Sequence, residues 1–295
     1  MKNIKSKSKS ESKSKSILII LLLILIFLII IYYLYINIFS ALIFSYLHNI
    51  KYSSVYGYIY IYNEIFKNGD YSYILPNKNN YVIFDVGANI GLYSLYINEN
   101  YNNVNIHCFE PIPDLFDKLK HNINYNKKNN NKIFINKVGL GDTITRTKIN
   151  FYPDADGLST INNDMKNKKE QIIKSKCKNS LFNGLCNLFY KNILNMGLNN
   201  VKVQEINIIK LSDYIIKNNI NNIDLIKIDV EGYELNVLNG INDNHFKIIN
   251  NFIIEVESYN NNNLISIEKK LLNNNFKINN LFQNDLWTVI IATKN

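Results

Sequence analysis

Glycine, proline, cysteine and tryptophan are scarce in this chain of 295 residues: 11 Gly, 4 Pro, 3 Cys and 1 Trp. Arginine occurs once, at Arg146. The three cysteines have no metal-ligand spacing, which excludes a zinc-finger or zinc-ribbon class of site. No Asn-x-Ser/Thr sequon occurs among 54 asparagines, although roughly four are expected by chance at this Ser and Thr content, so a glycosylated surface gains no support. Positive charge forms no stripe beyond the N-terminus. The net charge of +9 divides into +5 for residues 1–16 and +4 spread over the rest, which argues against a nucleic-acid partner. In place of the scarce residues stand Asn, Ile, Lys and Tyr, a bias expected of an AT-rich genome. Runs such as Asn129-Asn130-Asn131, Asn260 to Asn263 and Asn273 to Asn275 therefore read as padded surface loops.

The N-terminus is bipartite. Residues 1–16 form a basic arm with six lysines, many serines and one glutamate. Residues 17–36 are an unbroken run of Ile, Leu and Phe, with Tyr32, Tyr33 and Tyr35 near its end. Twenty apolar residues at about 1.5 Å rise span a hydrocarbon core, and the tyrosines sit where an interfacial aromatic belt belongs. A cleaved signal peptide has an apolar region of about 7–15 residues ending in small residues, and neither feature is present, so a single-pass membrane anchor is expected. A second apolar stretch, Ile38 to Leu47, is interrupted by Ser40 and Ser45. It is expected to lie at the interface or against the domain, within a linker and helical region 37–79. The lysines place the N-terminus in the cytosol and the following domain in a lumen or outside the cell; the missing sequons cut the other way. On the lumenal side Cys177 and Cys186 can pair, whereas Cys108 falls in a core strand.

From residue 80 to 295 a βαβ rhythm governs the pattern. Strands are expected at Tyr81–Val86, Asn105–Glu110, Lys132–Leu140, Thr147–Tyr152, Val201–Ile208, Ile223–Val230 and Phe252–Val256, with a closing pair at Phe276 to Leu281 and Trp287–Ala292. Helices are expected over Leu92–Glu99, Leu115 to Tyr125, Leu211 to Asn218, Glu234 to Asn239 and Leu264–Leu272, after an entry helix within 52–75. The fold expected is α/β, a mainly parallel Rossmann-like sheet with an antiparallel edge. Residues 162–200 break the rhythm and read as an insertion, either a lid or partner surface or a disordered loop.

The chemistry concentrates at strand ends, where ligands of such sheets bind. Asp85-Val86-Gly87-Ala88-Asn89-Ile90-Gly91 follows the first strand and leads into a helix. Glycines there let backbone approach a ligand, and the helix N-terminus offers free N–H groups. The dinucleotide fingerprint G-x-G-x-x-G is not met, because Asn89 stands at its second glycine and Asp85 repels phosphate. An acid in this loop suits a ligand bearing an ammonium and a sulfonium, namely S-adenosylmethionine. Glu110, 25 residues on, stands where such sites hold ribose hydroxyls. Five strand ends carry acids: Asp85, Glu110, Asp142, Asp229 with Glu231, and Glu255 with Glu257. Strand alternation sends Lys227, Asp229 and Glu231 to one side. These three read as catalytic, with Asp229 or Glu231 as base; a structural pairing of Lys227 with Asp229 or Glu255 is the competing account. A divalent cation shared by Asp229, Glu255 and Glu257 is a further alternative to a side-chain base.

The ordered set Phe84 to Gly91, Phe109-Glu110-Pro111, Gly139-Leu140-Gly141-Asp142, Gly157-Leu158-Ser159, Lys227 to Glu234 and Glu255-Val256-Glu257 resembles the FkbM family of methyltransferases. The resemblance covers about residues 80–258. It implies the class I methyltransferase fold and methyl transfer from S-adenosylmethionine to a hydroxyl of a sugar or natural product. By position, Asp85, Gly87, Asn89 and Gly91 would hold the methionine end, Glu110 the ribose, and Asp142 would lie near the adenine. Asp229 would face the methyl group. The expected partners are a membrane and a small-molecule or glycan acceptor. The rival readings are a non-catalytic adenosylmethionine-binding scaffold and, less favoured, a nicotinamide oxidoreductase.

Overall fold

A computed structural model describes residues 2–68, 80–128, 130–161, 165–178, 180, 183–258, 261–283 and 286–294. The chain divides into two compact units, residues 1–47 and 48–295. The first is helical throughout: an α-helix over Lys2–Leu34, a π-helical turn at Tyr35–Phe39 and an α-helix over Ser40–Leu47. Its stretch Ile17–Leu47 is long and apolar enough to cross a membrane. The expected separate segment Ile38–Leu47 is instead a continuation of this helix. Ser40 does not interrupt it, because its Oγ donates to the Ile36 carbonyl at 2.5 Å and so is satisfied within the helix.

The second unit is built on ten strands: β1 (Tyr81–Val86), β2 (Val104–Phe109), β3 (Lys132–Asn136), β4 (Gly139–Leu140), β5 (Thr145–Phe151), β6 (Lys202–Ile209), β7 (Leu225–Ile228), β8 (Asn251–Glu257), β9 (Phe276–Gln283) and β10 (Trp287–Lys294). Seven of them form one sheet in the order β3-β2-β1-β7-β8-β10-β9. All neighbours are parallel except β10, which runs antiparallel to both β8 and β9. This is the class I methyltransferase arrangement. Strands β1, β7 and β8 are apolar along almost their whole length because helices cover both faces of a parallel sheet. Phe84, Ile226, Ile228, Phe252 and Ile254 anchor the core, joined by Leu271 of the helix Asn261–Asn273.

Two expectations change. The strand expected over Lys132–Leu140 splits, and its second half, β4, leaves the main sheet to pair with β6. A separate three-stranded sheet, β4-β6-β5, results. The excursion between the antiparallel partners β5 and β6 carries the insertion, which is not a structureless loop. Its described residues form helices over Met165–Cys177 and Asn183–Leu198, tied by a disulfide between Cys177 and Cys186 with Cα atoms 5.7 Å apart. The entry helix spans Val55–Asn63 and continues as a π-helical turn at Glu64–Asn68; the rest of that expectation, residues 69–75, lies outside the described residues.

Asparagine is more than padding. Asn98, Asn122, Asn131 and Asn251 are buried and hydrogen-bonded. Asn122 clamps the entry segment to the loop after β1, donating to the carbonyls of Lys51 at 3.0 Å and Ile90 at 2.8 Å while accepting from Lys51 N–H at 2.7 Å. Among the described residues, six of the seven non-glycine positions with positive φ are also asparagine: 49, 80, 89, 103, 219 and 275. Asn tolerates the left-handed region better than other side chains, so it takes over turns that glycine usually holds.

Candidate functional site

The carboxyl ends of β1, β2, β7 and β8 open onto a cavity of about 710 Å³, within the size range of small-ligand sites. One wall is the loop after β1. Its backbone turns left-handed at Gly87 (φ +77), Asn89 (φ +50) and Gly91 (φ +90). A Cβ on Gly87 would stand 1.8 Å from the Asp229 carbonyl oxygen, so only glycine fits. The N–H groups of Gly87 and Ala88 both donate to the Phe109 carbonyl, at 3.1 and 3.0 Å. Asn89 N–H donates to Glu110 Oε2 at 2.9 Å, and Ile112 N–H to Glu110 Oε1 at 2.8 Å. Loop and acid are thus one hydrogen-bonded piece facing the cavity. Burial pushes the Glu110 carboxyl up to about 8, against the lowering effect of the two backbone donors.

Gly91 plays a different part from the one expected. It lies behind the wall, where a Cβ would meet Leu119 Cδ1 at 2.6 Å, so it serves the packing of the helix Leu92–Asn100 on the helix Pro113–Asn126. Asp85 also lies behind the wall. It is fully buried, accepts from Ser94 Oγ at 2.7 Å through Oδ2, and has Oδ1 3.7 Å from Lys227 Nζ. Lys227 donates to Asp229 Oδ2 at 3.1 Å and to the Gly87 carbonyl at 3.2 Å. Burial works against the Lys227 ammonium, but Asp229 and Asp85 outweigh it and hold its pKa above the usual range. Asp85 therefore reaches the cavity only through Lys227, and the Lys227–Asp229 pair expected as a structural account is present.

Across the cavity the strand alternation expected past Ile228 fails. β7 ends there, and Glu231 turns left-handed at φ +54. A glutamate in that region carries strain of order 1 kcal/mol or more. Thr160 Oγ1 steadies it, donating to the Glu231 carbonyl at 2.8 Å. The Glu231 side chain does not join Lys227. It pairs with Lys168 of the first insertion helix, whose Nζ also lies 2.7 Å from Glu257 Oε1. Burial lifts the Glu231 carboxyl to about 7, with Lys168 opposing. Sequence reasoning missed Lys168, a single lysine in a Lys-rich segment. It also missed Tyr60 and Trp287, whose rings meet edge-on at 6.2 Å on the same side of the cavity.

Asp142 is the acid that does not converge. β4 belongs to the smaller sheet; Gly139 and Leu140 reach the cavity wall, but Asp142 lies beyond it and accepts from Asn236 Nδ2 at 3.4 Å. Among the described residues no group of three or more His, Cys, Asp and Glu is arranged to hold a metal ion. The cation considered for Asp229, Glu255 and Glu257 gains no support, because Lys168 engages Glu257. His107 donates or accepts at Tyr214 OH (2.8 Å), stacks on Phe134, and is kept neutral by burial with its pKa lowered to about 4.

The insertion roofs the cavity through Ile172, Leu194 and Gly197. The whole wall offers a carboxylate for hydroxyl groups, a backbone cradle at Gly87, and apolar surface from Pro111, Ile112 and Leu140. Its cation at Lys227 is already engaged by two acids. That donor set fits a nucleoside bearing positive charge better than a pyrophosphate.

The family profile described as methyltransferase FkbM domain matches residues 85–278. Methyltransferase sdnD of Sordaria araneosa is 31% identical over 209 residues, covering 66% of this chain and 73% of its own length. The 31-O-demethyl-FK506 methyltransferase FkbM of Streptomyces tacrolimicus is 28% identical over 198 residues, covering 67% and 74%. The crystal structure of methyltransferase FkbM from Methylobacillus flagellatus KT aligns with a TM-score of 0.47 at 15% identity, over 81% of this chain and 52% of that one.

Proposed function

The chain belongs to the FkbM family of methyltransferases, and from that premise we propose that it is a membrane-tethered O-methyltransferase acting on a hydroxyl of a glycan, glycolipid or other small acceptor. Its cofactor is S-adenosylmethionine, as in the family. The observation that carries this reading is the joining of the Gly87 loop to Glu110 on one wall, with Asp229 beside them at the end of β7.

When bound, the cofactor supplies an electrophilic methyl group. Glu110 accepts from the ribose hydroxyls, and Gly87 and Ala88 let the backbone come close to the amino-acid end. Lys227, seated on buried Asp85, holds Asp229 by Oδ2 and keeps it ionised. Asp229 Oδ1 then takes the proton of the acceptor hydroxyl as it attacks. Glu231, pushed up to about 7, is the second carboxylate able to receive that proton. Tyr60 and Trp287 offer ring surfaces for the acceptor. Residues 17–47 anchor the protein in a membrane with the basic arm in the cytosol and the domain on the far side. The Cys177–Cys186 disulfide supports that side, because the cytosol keeps such pairs reduced.

A thermal-shift titration of the full chain in detergent tests the reading. S-adenosylhomocysteine at about a hundred times its Kd should add about 2.7 kcal/mol, and NAD should add nothing. Glu110→Ala should lose that response, and Asp229→Asn should keep it while losing methyl transfer. A folded chain that responds to NAD, or to neither compound, contradicts the proposal.

A further inference from the structure

The insertion brings charge and apolar surface to the same place. Residues 162–200 hold seven lysines against two acids, whereas the chain outside them and outside residues 1–16 holds 20 basic and 21 acidic residues. The even spread of positive charge expected from the sequence is thereby corrected: the excess beyond the arm sits on the excursion between β5 and β6. Lys168 is buried on Glu231 and Glu257, while Lys166, Lys174, Lys176, Lys178 and Lys191 are exposed.

The second insertion helix, Asn183–Leu198, buries none of its residues. Leu185, Leu188, Phe189 and Met196 are 69, 56, 61 and 73% exposed. At 3.6 residues per turn these positions share one face. Leu194 and Gly197, turned away from that face, line the cavity roof, and Met196 reaches its rim. An apolar track about 16 Å long therefore runs outward from the cavity mouth, at about 1.5 Å per residue. Large apolar side chains scattered singly need no explanation, but a contiguous row rimmed by charge marks a contact surface.

We infer that the outer face of the helix Asn183–Leu198 seats in the headgroup layer of a lipid bilayer and leads a lipid-bearing acceptor to the cavity. Leu185, Leu188, Phe189 and Met196 enter the acyl boundary, and the exposed lysines of the two insertion helices extend to headgroup phosphates. Charge complementarity selects this occupant. The row is apolar at its centre and basic around it, and a phospholipid surface offers acyl chains below and phosphate around in every direction. The acceptor half of the inference rests on the cavity being the methyl-transfer site; the seating of the helix does not.

The test uses the full chain in phosphatidylcholine–phosphatidylserine vesicles. Cys177 and Cys186 are joined and Cys108 is buried, so a single introduced thiol takes an environment-sensitive nitrobenzoxadiazole dye. Leu188→Cys and Phe189→Cys should show blue-shifted emission quenched by doxyl-labelled lipid, and Asn187→Cys, on the other side of the helix, should show neither. Water-like emission at all three positions overturns the seating. So does a blue shift at 188 and 189 that doxyl lipid leaves unquenched, because protein then covers the face. For the acceptor, tritiated methyl from S-adenosylmethionine should enter the organic-solvent extract of membranes, several-fold less with Leu188→Asp/Phe189→Asp. Label confined to water-soluble material, or unchanged in that variant, overturns the lipid-bearing acceptor. A parallel S-adenosylhomocysteine titration separates these outcomes from failure of the methyltransferase reading itself.

Discussion

Glu110 ties the cofactor wall to solution pH. Its carboxyl stands at about 8 in the folded protein against an ordinary value of 4.5, because burial outweighs the two backbone donors. The folded state thus holds a proton that the unfolded chain has released. Ionisation costs stability as pH climbs from about 4.5 to about 8, and Glu234 (about 8) and Glu231 (about 7) act in the same sense. A ribose hydroxyl donating to Glu110 favours the ionised form. Affinity for S-adenosylhomocysteine should therefore rise from about pH 6 to about pH 9, with proton release seen as a buffer-dependent enthalpy in calorimetry; a flat profile contradicts the assignment. At this scale the sequence placed Gly87, Asn89, Glu110 and Asp229 well, since each follows a strand end. It could not show depth. Asp85 sinks behind the wall because β1 is central, between β2 and β7, and its carboxylate meets Lys227 rather than the cavity. The order of acids along a chain does not say which side of a turn each one lands on, and a left-handed Glu231 defeats simple alternation.

Elements were legible wherever one period ran unbroken, as in β1, β7 and β8. The break between β3 and β4 was not, because an apolar run looks the same whether it continues in one sheet or passes to another. The insertion was legible as an interruption, yet its function as a roof depends on Lys168 meeting Glu231 and Glu257 across 63 and 89 residues. No local pattern distinguishes that lysine from its neighbours. Removing it leaves two buried carboxylates without their cation. Lys168→Ala should weaken closure of the helix Met165–Cys177 by about 3–5 kcal/mol, the usual result of breaking a buried pair from one side. Hydrogen exchange across that helix should speed accordingly, while Lys168→Arg keeps it slow. Unchanged exchange in Lys168→Ala would mean that packing and the disulfide alone hold the roof.

The whole molecule is an apolar helix followed by a unit with its own core and cavity, residues 48–295. Composition alone announced this division, because some thirty residues of unbroken aliphatic helix have no place in a soluble α/β core. The extent was missed: Ser40 reads as an interruption until its hydroxyl is seen to be satisfied inside the helix. Since every residue around the cavity belongs to the second unit, a chain beginning at His48 should bind S-adenosylhomocysteine within about twofold of the full-length protein, well under the ~1.4 kcal/mol of a tenfold change. The full chain should resist alkaline carbonate extraction from membranes and the shortened one should not. A tenfold loss of affinity on shortening would tie the site to the apolar helix.

The left-handed asparagines bear on how far a genome's nucleotide bias can rewrite a protein. A turn at positive φ asks for tolerance of a backbone angle. Asparagine pays part of the strain back, because its unfolded chain has fewer conformations to lose than glycine's. Such turns are nearly neutral to codon drift, and the chain has drifted at six of them. Gly87 and Gly240 have not drifted. A Cβ there would lie 1.8 and 2.0 Å from the carbonyl oxygens of Asp229 and Gly141, and Gly240 does not have a left-handed backbone at all. In so glycine-poor a sequence, these two glycines record contacts between backbone segments that no change of codon usage can replace.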